Sequence, residues 1–174
     1  ILFFIGFFSI DLNEMSTKIM FKGQELVYQE ASLYGNLVVT RTQDQLNFFE
    51  NGVPLFTTED TIMNEEVVHY PLLQHDNAEA VLLVGGAVSG TAKELLKYGV
   101  KIDYVELDKS VISLGLKFTK NLQGVNVINK DGRRYVKETS KKYDVVCSGH
   151  IGIGYAAIDK IIKSVKIHHS KPKT

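Results

Sequence analysis

The sequence is poor in the residues that mark several common classes of protein. Among 174 residues it has one cysteine, three prolines and no tryptophan, and its 20 basic side chains balance its 20 acidic ones. A single cysteine excludes a disulfide framework within the chain, which suits a reducing compartment. Because the formal net charge is zero, the composition shows no excess of basic residues that would attract nucleic acid or an acidic membrane surface. We therefore expect no nucleic-acid partner.

Side chains that ligate metals or act as nucleophiles are also sparse. Cys147 ends the apolar run Val145–Cys147, a pattern typical of a small buried strand residue. The five histidines show no spacing that resembles a metal site with a supporting carboxylate. We expect neither a bound metal nor a catalytic thiol.

A dense apolar run occupies residues 1–10. It is too short to span a bilayer, which needs about 20 residues, and it has neither the basic segment nor the cleavage site of a signal peptide. Two interpretations stay open: the remainder of a membrane helix, or a strand or helix of a core. We predict a cytoplasmic chain, with tethering by an upstream membrane module of a longer protein as the alternative.

The part of the sequence that follows has the pattern of β-hairpins, short β-rich runs separated by turn residues. Its β-rich runs are residues 27–30, 37–43, 46–50 and 53–56. The last two flank Asn51-Gly52, the strongest short hairpin signal. Pro54 lacks an amide hydrogen, so we expect its strand to lie at an edge. The sequence predicts a hairpin subdomain over residues 25–76, after an apolar stub and linker over 1–24.

The rest of the sequence alternates between strand and helix patterns. Predicted strands cover residues 81–84, 102–107, 125–128 and 143–147, and predicted helices lie near 92–96, 111–115, 133–139 and 156–167. Such alternation is typical of a parallel sheet with right-handed crossovers. We predict an α/β, doubly wound Rossmann-like domain over residues 77–174, truncated or incomplete.

A glycine-rich loop, Gly85-Gly86-Ala87-Val88-Ser89-Gly90, separates the first of these strands from a helix. Glycine allows a tight turn and lets a ligand approach the backbone without a Cβ in the way. The amide groups at the start of a helix favour an anionic ligand. A plain strand-to-helix turn is the alternative, so this loop is a weak signal alone.

Two acidic residues follow the next two strands. Glu106 stands 20 residues after Gly86, where an acid can accept from both hydroxyls of an adenosine ribose. Asp131 precedes Gly132 after the third strand, where it can accept from an adenine amino group or cap a helix. Open α/β sheets bind ligands at the carboxyl ends of their strands. A nicotinamide dehydrogenase, a methyltransferase and an aminopropyltransferase all remain compatible with this pattern.

Several runs of the sequence resemble the spermidine synthase family of polyamine aminopropyltransferases. The run Val81–Gly90 is similar to the family's glycine motif, Tyr104–Asp108 to its acidic strand end, and Asp131–Tyr135 followed by Tyr143–Val146 to its third and fourth strands. Upstream, Tyr28-Gln29 resembles the family's Tyr-Gln pair, while Asn51-Gly52-Val53, Asp60 and Glu66 follow its pattern loosely. The resemblance covers about residues 25–147, hairpins first and nucleotide fold second.

The resemblance implies transfer of an aminopropyl group from decarboxylated S-adenosylmethionine to putrescine or another amine. Glu106 would hold the ribose, Asp131 the adenine and Gln29 the methionine-derived arm. The implied ligand-binding residues are Gln29, Gly85, Gly86, Ala87, Gly90, Glu106, Asp131 and Gly132. Some family members carry this domain behind a membrane-spanning module, which fits the apolar residues 1–10.

The sequence also departs from the family's pattern. Val88 replaces an Asp of the glycine motif, Asn64-Glu65 replaces an aromatic-His pair, and Gly149 stands where the family has its catalytic Asp. Without that carboxylate, no evident group takes a proton from the attacking amine. Two rivals follow: a methyltransferase using intact S-adenosylmethionine, whose carboxylate Val88 would tolerate better than Asp, and a non-catalytic relic that binds a nucleoside or nothing.

Two structural expectations complete the prediction. The hairpins should pack over the mouth of the pocket, near Gly86. The first or the fourth strand should leave an unpaired edge of the parallel sheet, partly covered by the tail helix, and such an edge invites association into a homo-oligomer.

Overall fold

The computed structural model describes residues 12–58 and 60–148, and the chain divides into two compact units after Thr57. The sequence-based division placed the segment up to residue 76 with the hairpins, whereas in the structure the residues after Thr57 group with the parallel sheet. The three-part division into domains stays a prediction. Residues 1–10, the tail helix and Gly149 lie outside the described residues.

The first unit is a helix followed by an antiparallel sheet. Its elements are α1 (Leu12–Met20), β1 (Glu25–Ala31), β2 (Asn36–Thr42), β3 (Gln45–Glu50) and β4 (Val53–Thr57), and the strands lie side by side in chain order. The predicted hairpins are therefore confirmed. Leu37, Val38 and Val39 of β2 are fully buried, and the Phe48 ring stacks on Phe56 with centroids 4.2 Å apart.

The turn between β3 and β4 follows directly from its two residues. Asn51 has φ +52° and Gly52 has φ +78°. Positive φ at both central positions is the backbone of a type I′ turn, whose twist matches that of the flanking strands. Pro54 lies on β4, an edge strand among the described residues, as its missing amide hydrogen predicted.

The second unit is built around a parallel sheet. Its elements are α2 (Thr61–Leu72), β5 (Ala80–Val84), α3 (Thr91–Leu96), β6 (Lys101–Glu106), α4 (Lys109–Phe118), β7 (Asn126–Asn129), α5 (Gly132–Glu138) and β8 (Val145–Ser148). The strand order is β7-β6-β5-β8, all parallel. This is a Rossmann-like α/β fold in which the strand order reverses between β5 and β8.

The place of β5 corrects one sequence-based expectation. The first strand of this sheet was a candidate for an unpaired edge, but it lies between β6 and β8. The described edges of the sheet are β7 and β8. Val81–Leu83 are fully buried, as a continuous apolar run predicts for a strand covered on both faces.

Helix α2 is an element that the sequence pattern did not reveal. The residues it buries are Asn64, Val68 and Leu72, spaced at i, i+4 and i+8. Because the first of these is polar and apolar residues such as Ile62 are exposed, the helix lacks a clean apolar stripe. No helix in the described ranges combines the length and apolarity needed to cross a membrane.

A buried polar network stabilises one face of the parallel sheet. Asp103, on β6, accepts hydrogen bonds from Lys141 Nζ at 2.7 Å, Tyr143 OH at 2.6 Å and Asn126 Nδ2 at 2.6 Å. The Tyr135 hydroxyl lies 2.6 Å from that of Tyr143. Burial raises the pKa of Asp103, but the hydrogen bonds from Lys141, Tyr143 and Asn126 outweigh it, so the pKa lies below its ordinary value.

We predict that Asp103→Asn destabilises the second unit by about 1–3 kcal/mol at pH 7, the cost of unsatisfied buried hydrogen-bonding groups. Since the folded pKa is depressed, this stabilisation is complete above the unfolded pKa of about 3.9 and is lost as pH falls through the folded pKa. Urea unfolding of both proteins between pH 7 and pH 3 should show the difference shrinking on acidification. Asp76→Asn, at an exposed position, is the matched control; equal midpoints for Asp103→Asn and wild type would contradict the prediction.

Candidate functional site

The carboxyl ends of β5, β6 and β7 are joined by backbone hydrogen bonds. The Gly85 amide donates to the Val105 carbonyl at 3.0 Å, and the Lys130 amide donates to the Glu106 carbonyl at 3.0 Å. Asn129 adds a side-chain link, since its Nδ2 donates to the Glu106 carbonyl at 2.9 Å. The loops that leave these three strands therefore start from one connected edge of the sheet.

The glycine-rich loop reverses the chain at this edge. Gly85 and Gly86 have φ of +68° and +73°, and Gly90 has φ of +124°. Side-chain-bearing residues rarely adopt these conformations, so the turn requires glycine at these positions. Between them, Ala87–Ser89 form a single 3₁₀ turn. The sequence prediction of a strand, a glycine turn and a helix is confirmed here.

Val88 does not line the open end of the sheet. Its side chain is 1% exposed. A Cβ added to Gly115 of α4 would lie 2.7 Å from Val88 Cγ1, so the two residues are in tight contact. The sequence-based argument that Val88 would tolerate a ligand carboxylate therefore has no structural basis, because the side chain offers no surface to a ligand.

Glu106 is held at the end of β6 by three hydrogen bonds. Its Oε1 accepts from the amides of Leu107 at 2.8 Å and Asp108 at 3.1 Å, and its Oε2 accepts from the Tyr104 hydroxyl at 2.9 Å. The residue is 8% exposed. A carboxylate offers about four acceptor positions, so the chain's own donors occupy most of them and fix its orientation.

Tyr104 is the orienting partner of Glu106. It lies two residues earlier on the same face of β6 and is fully buried. Burial, the charge of Glu106 and their hydrogen bond raise the pKa of Tyr104 well above its ordinary value. The hydroxyl thus stays protonated and remains a donor to the carboxylate.

Asp131 serves as the N-cap of α5. Its Oδ1 accepts from the Arg134 amide at 2.9 Å, and its Oδ2 lies 3.3 Å from an Arg133 guanidinium nitrogen. The Arg134 amide is the main cause of the lowered pKa of Asp131; partial burial opposes it and Arg133 adds to it. The capping role considered for Asp131 is therefore confirmed, while adenine binding stays a prediction.

Gly132 permits close packing between α5 and the end of β5. A Cβ at this position would lie 2.7 Å from Val84 Cγ1. The start of α5 consequently sits directly against β5, beside the strand end from which the glycine-rich loop departs.

Gln29, the residue expected to hold the methionine-derived arm, belongs to the first unit. It lines a cavity of about 430 Å³ along β1 together with Glu14 and neighbouring β1 residues. Its Nε2 donates to Asn36 Oδ1 at 3.4 Å, whereas its Oε1 is buried and has no hydrogen-bond partner among the described residues. An unpaired buried acceptor is consistent with a ligand-binding role, which stays a prediction.

The structure thus places Gly85, Gly86, Glu106 and Asp131 at one edge of the parallel sheet. Roles for all of them in ligand binding stay predictions. Cys147 is buried, and burial raises the pKa of its thiol to about 12, which fits the predicted strand residue rather than a nucleophile.

Sequence reasoning assigned no structural role to four polar side chains at or near this edge. They are Asn64, Tyr104, Asn121 and Asn129. Only Tyr104 had a usable signal, the period-2 spacing that puts it on the same strand face as Glu106. The three asparagines act across separate elements, so no local pattern marks them.

One side-chain cluster has the composition of a metal site. Glu65, His69 and Glu94 each place a potential ligand atom within 4.8 Å of the others. Lys97 Nζ lies 2.6 Å from Glu94 Oε2, and His69 Nδ1 is hydrogen-bonded to the Tyr98 hydroxyl. A lysine thus already balances the buried carboxylate; the absence of a metal stays a prediction.

Comparisons with known proteins agree with this geometry. The model of the spermine/spermidine synthase domain matches residues 60–157. The polyamine aminopropyltransferase of Methanocaldococcus jannaschii is 31% identical over 150 residues, 79% of this chain and 51% of that protein. The corresponding enzyme of Korarchaeum cryptofilum is 32% identical over 77% of this chain and 41% of its own length. The chain spans about half the length of the curated relatives it matches.

Solved structures show the same fold. A spermidine synthase crystallised with the transition-state analogue AdoDATO superposes with a TM-score of 0.67 at 25% identity, covering 74% of this chain and 47% of that one. The spermidine synthase of Thermotoga maritima gives a TM-score of 0.66 at 26% identity, covering 72% and 48%.

We predict that Gly132→Ala destabilises the second unit by about 1–3 kcal/mol, as overpacking of a tight contact does. The new Cβ would meet Val84 Cγ1 at 2.7 Å, and a strand valine cannot rotate freely to escape. Thermal unfolding of Gly132→Ala, Val84→Ala and the double variant measures the interaction free energy between the two positions. Arg133→Ala is the control at the next, exposed helix position; purely additive effects of the two substitutions would refute the proposed contact.

Proposed function

This chain belongs to the spermine/spermidine synthase domain family, and we propose that its parallel-sheet unit binds the adenosyl part of an S-adenosyl-type donor. The observation that carries the proposal is the meeting of Gly85-Gly86, Glu106 and Asp131 at one edge of the sheet. Open α/β sheets hold nucleotides outside the carboxyl ends of their strands, next to the point where strand order reverses.

The donor we propose is decarboxylated S-adenosylmethionine, with putrescine or another amine as acceptor. In this reaction the amine nitrogen attacks the propyl carbon bonded to the sulfonium, the carbon–sulfur bond breaks, and methylthioadenosine leaves. The attacking nitrogen then loses a proton. Glu106 would accept from a ribose hydroxyl with its one remaining acceptor position. The role expected of Gln29 in holding the donor's arm stays a prediction.

We infer that the proton-transfer step is poorly supported in this chain. Gly149 stands where the family resemblance places the catalytic Asp. Two other carboxylates, Asp60 and Asp144, are the candidate substitutes. The Asp144 Oδ2 accepts from the amides of Glu79 and Ala80, both at 2.9 Å, at the amino end of β5, so it is engaged away from the proposed site. A missing general base typically costs about 10²–10⁴-fold in rate.

The absence of a carboxylate at Gly149 favours a second candidate function, a nucleoside-binding module without turnover. A methyltransferase using intact S-adenosylmethionine is the remaining alternative, although Val88 no longer supports it. A cytoplasmic location, an upstream membrane module, a homo-oligomer and hairpins over the pocket stay predictions.

We predict that Glu106→Gln weakens methylthioadenosine binding by about tenfold or more. A neutral amide accepts hydrogen bonds less strongly than a carboxylate, and bonds to charged groups contribute about 1.5–3 kcal/mol. Titration calorimetry of wild type and variant measures the change in Kd. Glu138→Gln removes an exposed carboxylate that pairs with Lys130 and Arg134 and is the matched control. Equal affinity in Glu106→Gln and wild type would rule out the ribose assignment.

We also predict turnover far below the ordinary enzyme scale of about 10 per second. The assay supplies decarboxylated S-adenosylmethionine and putrescine and follows release of methylthioadenosine. Gly149→Asp should raise the rate if the missing base alone limits the reaction. Fast turnover by the wild-type chain would show that another group removes the proton.

A further inference from the structure

We propose that Asn64 is a positioning residue that holds the glycine-rich loop in its ligand-binding conformation. Asn64 lies on α2, outside the sheet and the loop, and is 7% exposed. The expected effect of Asn64 on ligand binding rests on the proposed function, whereas its effect on the conformation of the loop does not.

All hydrogen-bonding positions of the Asn64 amide are used. Its Nδ2 donates to the Asp60 carbonyl at 2.7 Å and to the Ser89 carbonyl at 3.1 Å. Its Oδ1 accepts from the Ser89 hydroxyl at 2.7 Å and from the Thr91 hydroxyl at 2.9 Å. A single side chain therefore connects α2 to the loop and to the first residue of α3.

The orientation of this amide follows from its neighbours. Two backbone carbonyls surround one end, and only a donor can satisfy both. The hydroxyls of Ser89 and Thr91 surround the other end, and each can donate. Exchanging the amide's nitrogen and oxygen would place an acceptor against two acceptors, so only the observed orientation satisfies both carbonyls.

Further contacts hold the loop. The Ser89 hydroxyl oxygen also lies 2.7 Å from the Gly86 carbonyl, which is the alternative acceptor for its single hydrogen. Asn121 Nδ2 donates to the Val88 carbonyl at 2.9 Å. The carbonyls of Val88 and Ser89 thus both accept from asparagine amides.

Gly90 makes room for this contact. A Cβ at Gly90 would lie 2.9 Å from Asn64 Nδ2, and its φ of +124° also excludes most side chains. Asn64 can therefore approach the loop this closely only because residue 90 is a glycine. The family resemblance led us to expect an aromatic-His pair in place of Asn64-Glu65 and an Asp in place of Val88, the residue before Ser89.

The test combines amide hydrogen exchange with calorimetry on the full chain. The amides of Ser89 and Gly90 bond to the carbonyls of Gly86 and Ala87, so their exchange reports loop opening. In Asn64→Ala we expect exchange at these two amides to rise by about tenfold or more relative to strand β6. Methylthioadenosine binding should weaken by about tenfold, which corresponds to one lost buried partner.

Asn77→Ala is the matched control, because it removes an exposed asparagine amide in the same unit. It should change neither the relative exchange of the loop nor the Kd. In a Ser89→Ala background, Asn64→Ala should have a smaller effect on both measurements than in the wild type. Thr91→Val, a substitution of nearly equal shape, tests the same network if Asn64→Ala does not fold.

Each outcome decides a separate statement. Unchanged loop exchange in Asn64→Ala, or in Thr91→Val if it is used, overturns the positioning role. Faster exchange with unchanged methylthioadenosine affinity confines Asn64 to stabilising the loop and also overturns a role in ligand binding. Failure of the wild-type protein to bind methylthioadenosine contradicts the proposed function, and the exchange data then decide the structural part alone.

Discussion

The left-handed turn at Gly85 and Gly86 is the constraint on which the arrangement of the parallel-sheet unit depends. The Gly85 amide extends the pairing of β5 with β6 by one more hydrogen bond, and the two positive φ values then reverse the chain. This reversal sends Val88 into the core against Gly115 and brings Ser89 to Asn64. The glycines thus decide both where the open edge lies and which side chains face it.

Two carboxylates on β6 lie in different surroundings on opposite faces of the sheet. Asp103 points to one face of the sheet, where a lysine, two tyrosines and an asparagine surround it. Glu106, three residues later, points to the other face at the strand's carboxyl end. Its donors are two amides and Tyr104, so it remains oriented toward the edge at which the loops meet.

The chain shares the spermine/spermidine synthase domain of its family over residues 60–157. Val88 is part of the core, and Gly149 carries no carboxylate. The glycine-rich loop is held by a polar network in which Asn64 bonds to Ser89 and Thr91. The side chains that support the loop are therefore different from Glu106 and Asp131, to which the proposal assigns ligand binding.

The sequence by itself determined the strands, the Asn51-Gly52 turn, the glycine-rich loop and the cap at Asp131, because each depends on residues only a few positions apart. The spermidine synthase resemblance rested on the same local runs. Helix α2 escaped this reasoning because its buried face begins with Asn64. Only the tertiary structure decided that Asn64 meets Ser89, that Val88 packs against Gly115, and that β5 is a central strand. Those contacts join residues far apart in the chain, and they form only when helices pack on a sheet whose strand order is set by the crossovers.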